Sequence, residues 1–461
     1  MTEGEYMTST ASIETAPAPV PTSAPPTTGP APERRLLLPV AADTEEHLRA
    51  TVHDLAERLR TGALDPATLP AVHGSGRHRT VAVADGPADT EGLRKNLLAR
   101  LETRPLPTTG KLPALAFLFS GGGPQWMGLG RALTAEPTFR ATLEECDRAV
   151  HRVTGWSVID KLLADDGETL PAAEVIQPLL FSVQTALART LQAWGLRSDL
   201  ILGASIGEAA AVVAAGVLSL EEGARLIATW SALVQERASG HGALTVCDMP
   251  LADAEQLSAD SGGRVFVASH LAPTQVCISG TPDGVAEAER ELATRGIRTL
   301  PTTVDYAGHS PLLTDLGPEL IRRLGTLPTR DPHIAYWSTV THGFIEGAAL
   351  DAPYWVRNMC EPTLLEEGIR HLTAQQPLRL VEVTPHPVAM YSVQQTLNAH
   401  NATDTQILTA SHRDQPPRQG LEDLVANLWC EGYDVNWAAV RASDSAGAPM
   451  PDLLEPVATS P

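Results

Sequence analysis

The stretch Leu200-Ile201-Leu202-Gly203-Ala204-Ser205-Ile206-Gly207-Glu208-Ala209-Ala210-Ala211 decides how this chain is read. Its opening apolar run has the character of a buried parallel strand, and the alanine-rich continuation to Ala215 reads as a helix. Ser205 falls on the sharp turn between them, in the spacing G-x-S-x-G, which is the pattern of a nucleophile elbow. Glycines at 203 and 207 leave out β-carbons that so tight a bend has no room for. The turn lifts the hydroxyl out of the sheet towards the amino end of the helix, where unpaired N–H groups and the helix dipole favour negative charge. A serine held this way attacks a carbonyl, and backbone donors hold the oxyanion that results. A serine at such a place also serves as a plain helix cap. The strand before it and the helix after it favour the nucleophile.

The surrounding chain has 461 residues, enough for more than one core. Hydrophobic residues make up 43% but aromatics only 4%, so alanine, leucine and valine build the interior. A net charge of −21 excludes the basic field that recruits nucleic acid or an anionic membrane. Cys146, Cys247, Cys277, Cys360 and Cys430 are scattered, with no C-x-x-C pair and no metal-ligand spacing. They read as reduced thiols filling cores, and no metal is expected. No apolar run reaches spanning length and no signal-like start is present, so the protein is expected to be cytoplasmic.

Residues 1–33, rich in Thr, Ala and Pro, read as a disordered tail. From 34 to 112, strand, helix, strand and helix (Leu36–Val40, Thr44–Arg60, His78–Ala84, Thr90–Leu101) form a small α/β module. The main domain is expected over 113–410. Its strand Leu115–Phe119 runs into Ser120-Gly121-Gly122-Gly123-Pro124-Gln125, a loop that lacks the lysine and hydroxyl of a phosphate-binding loop. That loop reads instead as bare backbone brought close to a reacting group. Helices are predicted over 139–150, 178–194 and 220–238, the last opened by the capping box Ser219–Glu222. Residues 243–303 run strand-helix-strand-strand-helix-strand, a ferredoxin-like insert. Pro311–Leu324 reads as one helix, Ile334–Ser338 and Leu378–Val383 as strands, and 411–461 as a C-terminal linker and tail.

A serine nucleophile needs a base, most often histidine. Two histidines stand in ordered-looking loops. His309 follows Tyr306-Ala307-Gly308 and precedes a helix start; His386 lies in Thr384-Pro385-His386-Pro387. The pattern favours His309 only mildly.

Together these segments resemble the acyltransferase domain of modular polyketide synthases and its relative, malonyl-CoA:acyl-carrier-protein transacylase, over Leu36–Val440. The resemblance is carried by Phe117-Leu118-Phe119-Ser120-Gly121-Gly122-Gly123-Pro124-Gln125-Trp126, Gln177-Pro178, Gly203 to Glu208, and Val304-Asp305-Tyr306-Ala307-Gly308-His309-Ser310. Tyr354-Trp355-Val356-Arg357-Asn358, Glu382 to Pro387 and Asp434-Val435-Asn436-Trp437 complete it. It implies a large α/β-hydrolase-like subdomain with a parallel sheet, a small ferredoxin-like subdomain, and a preceding α/β linker like that between ketosynthase and acyltransferase. It also implies Ser205 as nucleophile, His309 as base held by a backbone carbonyl near Leu364, and an oxyanion hole from the N–H groups of Gly122 and Ile206. Gln177 and Tyr306 then line the substrate site. The acyl donor is carried on phosphopantetheine, as coenzyme A or on an acyl carrier protein, with no permanently bound cofactor.

The chain departs from that family at the substrate. Where the family clamps a malonyl-type carboxylate with arginine, this chain has Trp230. Guanidinium binds a carboxylate bidentately; indole offers an apolar wall. Ala204 replaces the histidine beside the nucleophile, Gly122 replaces a loop glutamine, and Leu271 stands where relatives carry asparagine. These changes imply a wider, less polar pocket. The expected activity is a trans-acting acyltransferase for a non-carboxylated acyl group, either a starter, an aminoacyl group or a polyketide intermediate. An editing acyl hydrolase, a malonyl-type extender acyltransferase and an idle docking subunit are the alternatives. An acidic carrier protein needs a local basic spot, for which Arg322, Arg323, Arg357 and Arg379 are candidates.

Overall fold

The computed structural model describes residues 35–442 apart from 87, 103–110, 123–129, 165–171 and 413–415. The expected tail at 1–33 and the last part of 411–461 therefore lie outside the described residues. The chain opens with β1 (Leu36–Ala42), α1 (Glu45–Arg60), β2 (His73–Gly74), β3 (His78–Ala84) and α2 (Thr90–Glu102). Thr44 caps α1 by accepting the His47 N–H at 3.1 Å. In the sheet, ordered β2-β1-β3, alternate residues of β1 serve different cores. Leu38 and Val40 meet the apolar face of α1 (Leu48, Val52, Leu55, Leu59), while Leu37 and Ala41 join the main core.

The main body begins with β4 (Ala114–Phe119), α3 (Pro137–Thr154), α4 (Val158–Leu163), α5 (Ala173–Ala193), β5 (Leu200–Gly203), α6 (Gly207–Ala214) and α7 (Leu220–Arg237). The insert follows as β6 (Ala243–Cys247), α8 (Leu251–Asp260), β7 (Val265–Ala272), β8 (Gln275–Gly280), α9 (Pro282–Thr294) and β9 (Thr299–Pro301). The chain returns through α10 (Gly317–Leu324), β10 (Ala335–Ser338), β11 (Gly343–Phe344), α11 (Ala352–Cys360), β12 (Thr363–Leu364) and α12 (Leu365–Gln375). It ends with β13 (Leu378–Glu382), α13 (Met390–Ala399), β14 (Gln406–Thr409), α14 (Pro417–Glu431) and α15 (Trp437–Ala442).

The central sheet has the order β11-β10-β5-β4-β13-β14 and is parallel except at its β10–β11 edge. Such a sheet is covered on both faces, and its side chains divide accordingly. Phe117, Phe119, Ile201, Tyr336 and Val381 enter one core; Ala116, Leu118, Leu202, Trp337 and Leu380 enter the other. β5 lies inside this sheet, flanked by β4 and β10, so Ser205 emerges at the carboxyl end of an interior strand, where open α/β sheets bind ligands. The insert is ferredoxin-like, with β12 added at its edge to give β12-β7-β8-β6-β9. The fold is thus the α/β pair of subdomains expected.

Two expectations need correction. Pro311–Leu324 is not one helix: a 3₁₀ turn over Pro311–Leu316 precedes α10, because Pro318 has no N–H to continue an α-ladder. Nor is 411 onward only a linker. Leu421, Val425, Leu428 and Trp429 of α14 are buried in the main core. The Arg79 guanidinium lies 5.2 Å from the Trp429 ring and donates to the Tyr433 carbonyl at 3.0 Å, tying the N-terminal module to this helix. No described helix is long and apolar enough to cross a membrane.

Candidate active site

Ser205 occupies the left-handed region, φ 57°, which a β-carbon disfavours by about 1–3 kcal/mol unless the surroundings hold it there. The surroundings do. Ala204 donates its N–H to the Phe119 carbonyl at 2.8 Å, and the Gly207 N–H reaches the Ala204 carbonyl at 3.0 Å. A β-carbon on Gly207 would collide with the Phe119 and Ser120 carbonyl oxygens, so the elbow and the end of β4 close only around glycine. One on Gly121 would lie 2.9 Å from Ser205 Cβ, which puts bare loop backbone directly against the nucleophile. Gly122 follows, exposed. The Ile206 N–H carries no hydrogen bond among the described residues.

A buried carboxylate braces the elbow from behind. Glu208 accepts from the Tyr336 hydroxyl at 2.8 Å, the Thr339 hydroxyl at 2.7 Å and the Tyr354 hydroxyl. Burial raises its pKa, with these donors pulling the other way. Asn358 adds its side-chain amide, 3.5 Å from the Ser205 carbonyl oxygen.

His309 is also left-handed, φ 57°, and donates its own N–H to the Met359 carbonyl at 2.9 Å. Its Nε2 lies 2.7 Å from Ser205 Oγ and its Nδ1 3.1 Å from the Glu361 carbonyl oxygen. A carbonyl only accepts, so Nδ1 carries the proton and Nε2 is left bare to receive the serine's. Burial lowers the His309 pKa, partly offset by the bond to Glu361, and the ring is neutral near pH 7. A serine hydroxyl against such a nitrogen is set to lose its proton as it attacks. The orienting carbonyl was expected near Leu364, and this is corrected to Glu361. α11 ends at Cys360 and the chain turns extended at Glu361, exposing that carbonyl, whereas Leu364 pairs with His270 in the insert sheet. The rival His386 packs its ring 4.6 Å from that of His412.

The expected substrate residues are distributed unevenly. Gln177 donates to the Tyr306 hydroxyl at 2.9 Å, and burial pushes that phenol up to about 12. Ala204 is buried beside the nucleophile. Trp230 is 2% exposed, on α7, its ring 6.3 Å from that of Trp355. The nearby arginines are committed elsewhere: Arg225 to Glu222 and the Leu324 carbonyl, Arg237 to Glu236. Leu271 packs with the core on the opposite sheet face from Trp230, so the two do not form one wall. Arg322 and Arg323 bind Glu319, Arg357 binds Glu361 and Arg379 binds Glu431, which leaves each charge paired. Gly121, Glu208, Tyr336, Thr339, Asn358 and Glu361 escaped the sequence reading of the site. Gly121, Glu208 and Asn358 stood in quoted motifs without a role of their own; Tyr336, Thr339 and Glu361 stood in none.

Residues 116–434 match the family described as "Acyl transferase domain". The chain belongs to this family. Among curated relatives, Polyketide synthase GfsB of Streptomyces halstedii is 31% identical over 430 residues, 89% of this chain and 8% of that protein. Erythronolide synthase EryA2 of Saccharopolyspora erythraea is 30% identical, over 88% of this chain and 12% of the relative. The chain therefore spans about a tenth of the length of these proteins. Among solved structures, the acyltransferase domain from module 8 of the salinomycin polyketide synthase superposes with a TM-score of 0.78 at 29% identity, covering 88% of this chain and 98% of that one. The loading acyltransferase of the avermectin modular polyketide synthase gives 0.64 at 32%, covering 68% and 100%.

Proposed function

We propose that this chain is a trans-acting acyltransferase of polyketide biosynthesis, working in the cytoplasm on a non-carboxylated acyl group. His309 Nε2 takes the Ser205 proton as Oγ attacks the thioester carbonyl, and the N–H groups of Ile206 and Gly122 receive the oxyanion. The first thiol leaves with that proton, and the acyl group rests on Ser205. A second phosphopantetheine thiol then reverses the steps, its proton passing to His309. Donor and acceptor are coenzyme A or an acyl carrier protein; no resident cofactor enters.

One observation carries the substrate assignment. The resemblance puts Trp230 at the position of the family's arginine; Trp230 is buried, and Arg225 and Arg237 are bound to other partners. A malonyl carboxylate there would be a charge without a partner, which costs several kcal/mol by order of magnitude. A panel of acyl thioesters, read as mass added to the protein, tests this. Monocarboxylic groups are expected to load Ser205, malonyl and methylmalonyl poorly, and S205A with nothing. Malonyl as the sole group retained overturns the assignment. Decay of the acyl-enzyme with and without carrier protein separates transfer from hydrolysis.

A further inference from the structure

We propose that His270, Glu366 and Glu367 form a zinc-class cation site joining the insert sheet to α12, with His400 at its rim. Ligand atoms of His270, Glu366 and Glu367 all lie within 4.8 Å of one another, with His270 and Glu366 buried. His270 Nδ1 is 2.7 Å from Glu367 Oε1 and 4.0 Å from Glu366 Oε2; His400 Nε2 is 2.8 Å from Glu366 Oε1 at the rim. An ion with bonds of about 2 Å holds tetrahedral ligands roughly 3–3.5 Å apart, so small side-chain shifts accommodate it.

Glu367 adds a further sign: its Oε1 meets His270, but its buried Oε2 has no side-chain hydrogen-bond partner among the described residues. An unpartnered carboxylate oxygen is costly to bury, and a bound cation would satisfy it. Arg370 also faces the cluster, its Nε 3.4 and 3.5 Å from the two Glu366 oxygens. Its side chain is 47% exposed, so it is able to swing into solvent as the ion enters.

The donor chemistry selects the metal. One buried imidazole with two carboxylates suits zinc, a fourth position being left for water or for His400 at the rim; magnesium and calcium prefer all-oxygen shells. The ligands come from β7 and the first turn of α12, so the ion would pin elements distant in sequence. β12, directly before α12, follows Glu361, whose carbonyl holds His309. The site thus lies beside the support of the base without touching the reacting atoms, and it does not depend on which acyl group Ser205 carries.

Tag-free full-length protein, stripped with a chelator, is titrated with cobalt(II) and then zinc(II). The expected result is saturation at one ion per chain, a visible cobalt d–d band displaced by equimolar zinc, and a zinc-dependent rise in Tm. S205A should bind equally, while H270Q and E366Q lose the band and at least tenfold in zinc affinity. Wild-type protein that shows no saturable one-to-one binding overturns the proposal, whatever the variants do. So does unchanged affinity in H270Q and E366Q, once circular dichroism shows them folded.

Discussion

His309 and His270 are each 8% exposed, yet the protein treats them in opposite ways. Burial lowers the pKa of both. At His309 the only opposing groups are neutral main-chain carbonyls, and the net shift is downward. At His270 the hydrogen bond and charge of Glu367, with Glu366 behind it, outweigh burial and the net shift is upward. The comparison teaches that the charge of the partner, more than depth, decides what a buried imidazole does. A carbonyl fixes tautomer and direction while leaving the ring a neutral base; a carboxylate makes it a cation's neighbour or a clamp.

The largest expected effect is a dissociation between the two histidines. His309→Ala or Ser205→Ala should slow acyl-enzyme formation by at least about 10³-fold, measured by quenched-flow mass spectrometry. His270→Gln should slow it by less than about tenfold while lowering stability in urea by about 1–3 kcal/mol, because Glu367 loses its partner. Equal kinetic losses at both positions would break the comparison. Trp230→Ala sharpens it from the core side. Trp230 backs Trp355 on α11, the helix leading to Glu361, so the cavity should cost about 3–5 kcal/mol by urea denaturation and loosen only the His309 side. Gly207→Ala is next, at about 1–3 kcal/mol from overpacking against the β4 carbonyls, with a fall in acylation as the elbow shifts.

The smallest effect is in pH. The folded pKa of His309 lies below its unfolded value of 6.5, so the unfolded chain binds the extra proton as pH falls. This histidine therefore contributes no loss above about pH 6.5 and a growing loss below it, until its folded pKa is passed. The acid limb of acylation should likewise fall below pH 6.5, where a carboxylate-paired base would have lost activity at higher pH. Rates and urea midpoints measured from pH 5 to 8 check both.

The elbow was legible because its signals are local. An apolar strand, two obligatory glycines and a helix start are fixed within a dozen residues around Ser205, and period and turn chemistry report them directly. The insert's strand-helix order was legible for the same reason. The orienting carbonyl was not, since any residue has one; choosing Glu361 over Leu364 required knowing that α11 stops at Cys360 and that Leu364 is spent in a sheet. The buttress on Glu208 was hidden because Tyr336, Thr339 and Tyr354 meet it only through the register of β10 against β5. Trp230 and Leu271 looked like one pocket in sequence and sit on opposite faces of a sheet.

By itself the sequence determined the α/β class and the serine turn, properties of residue type and short spacing, while the choice of His309 and the missing arginine were what the family resemblance implied. Only the tertiary structure decided which carbonyl holds the imidazole, which core each apolar residue joins, and that His270, Glu366 and Glu367 meet, with His400 against Glu366. Those depend on strand order and helix ends, where neighbours far apart in the chain are brought within a few ångströms and no periodicity records it.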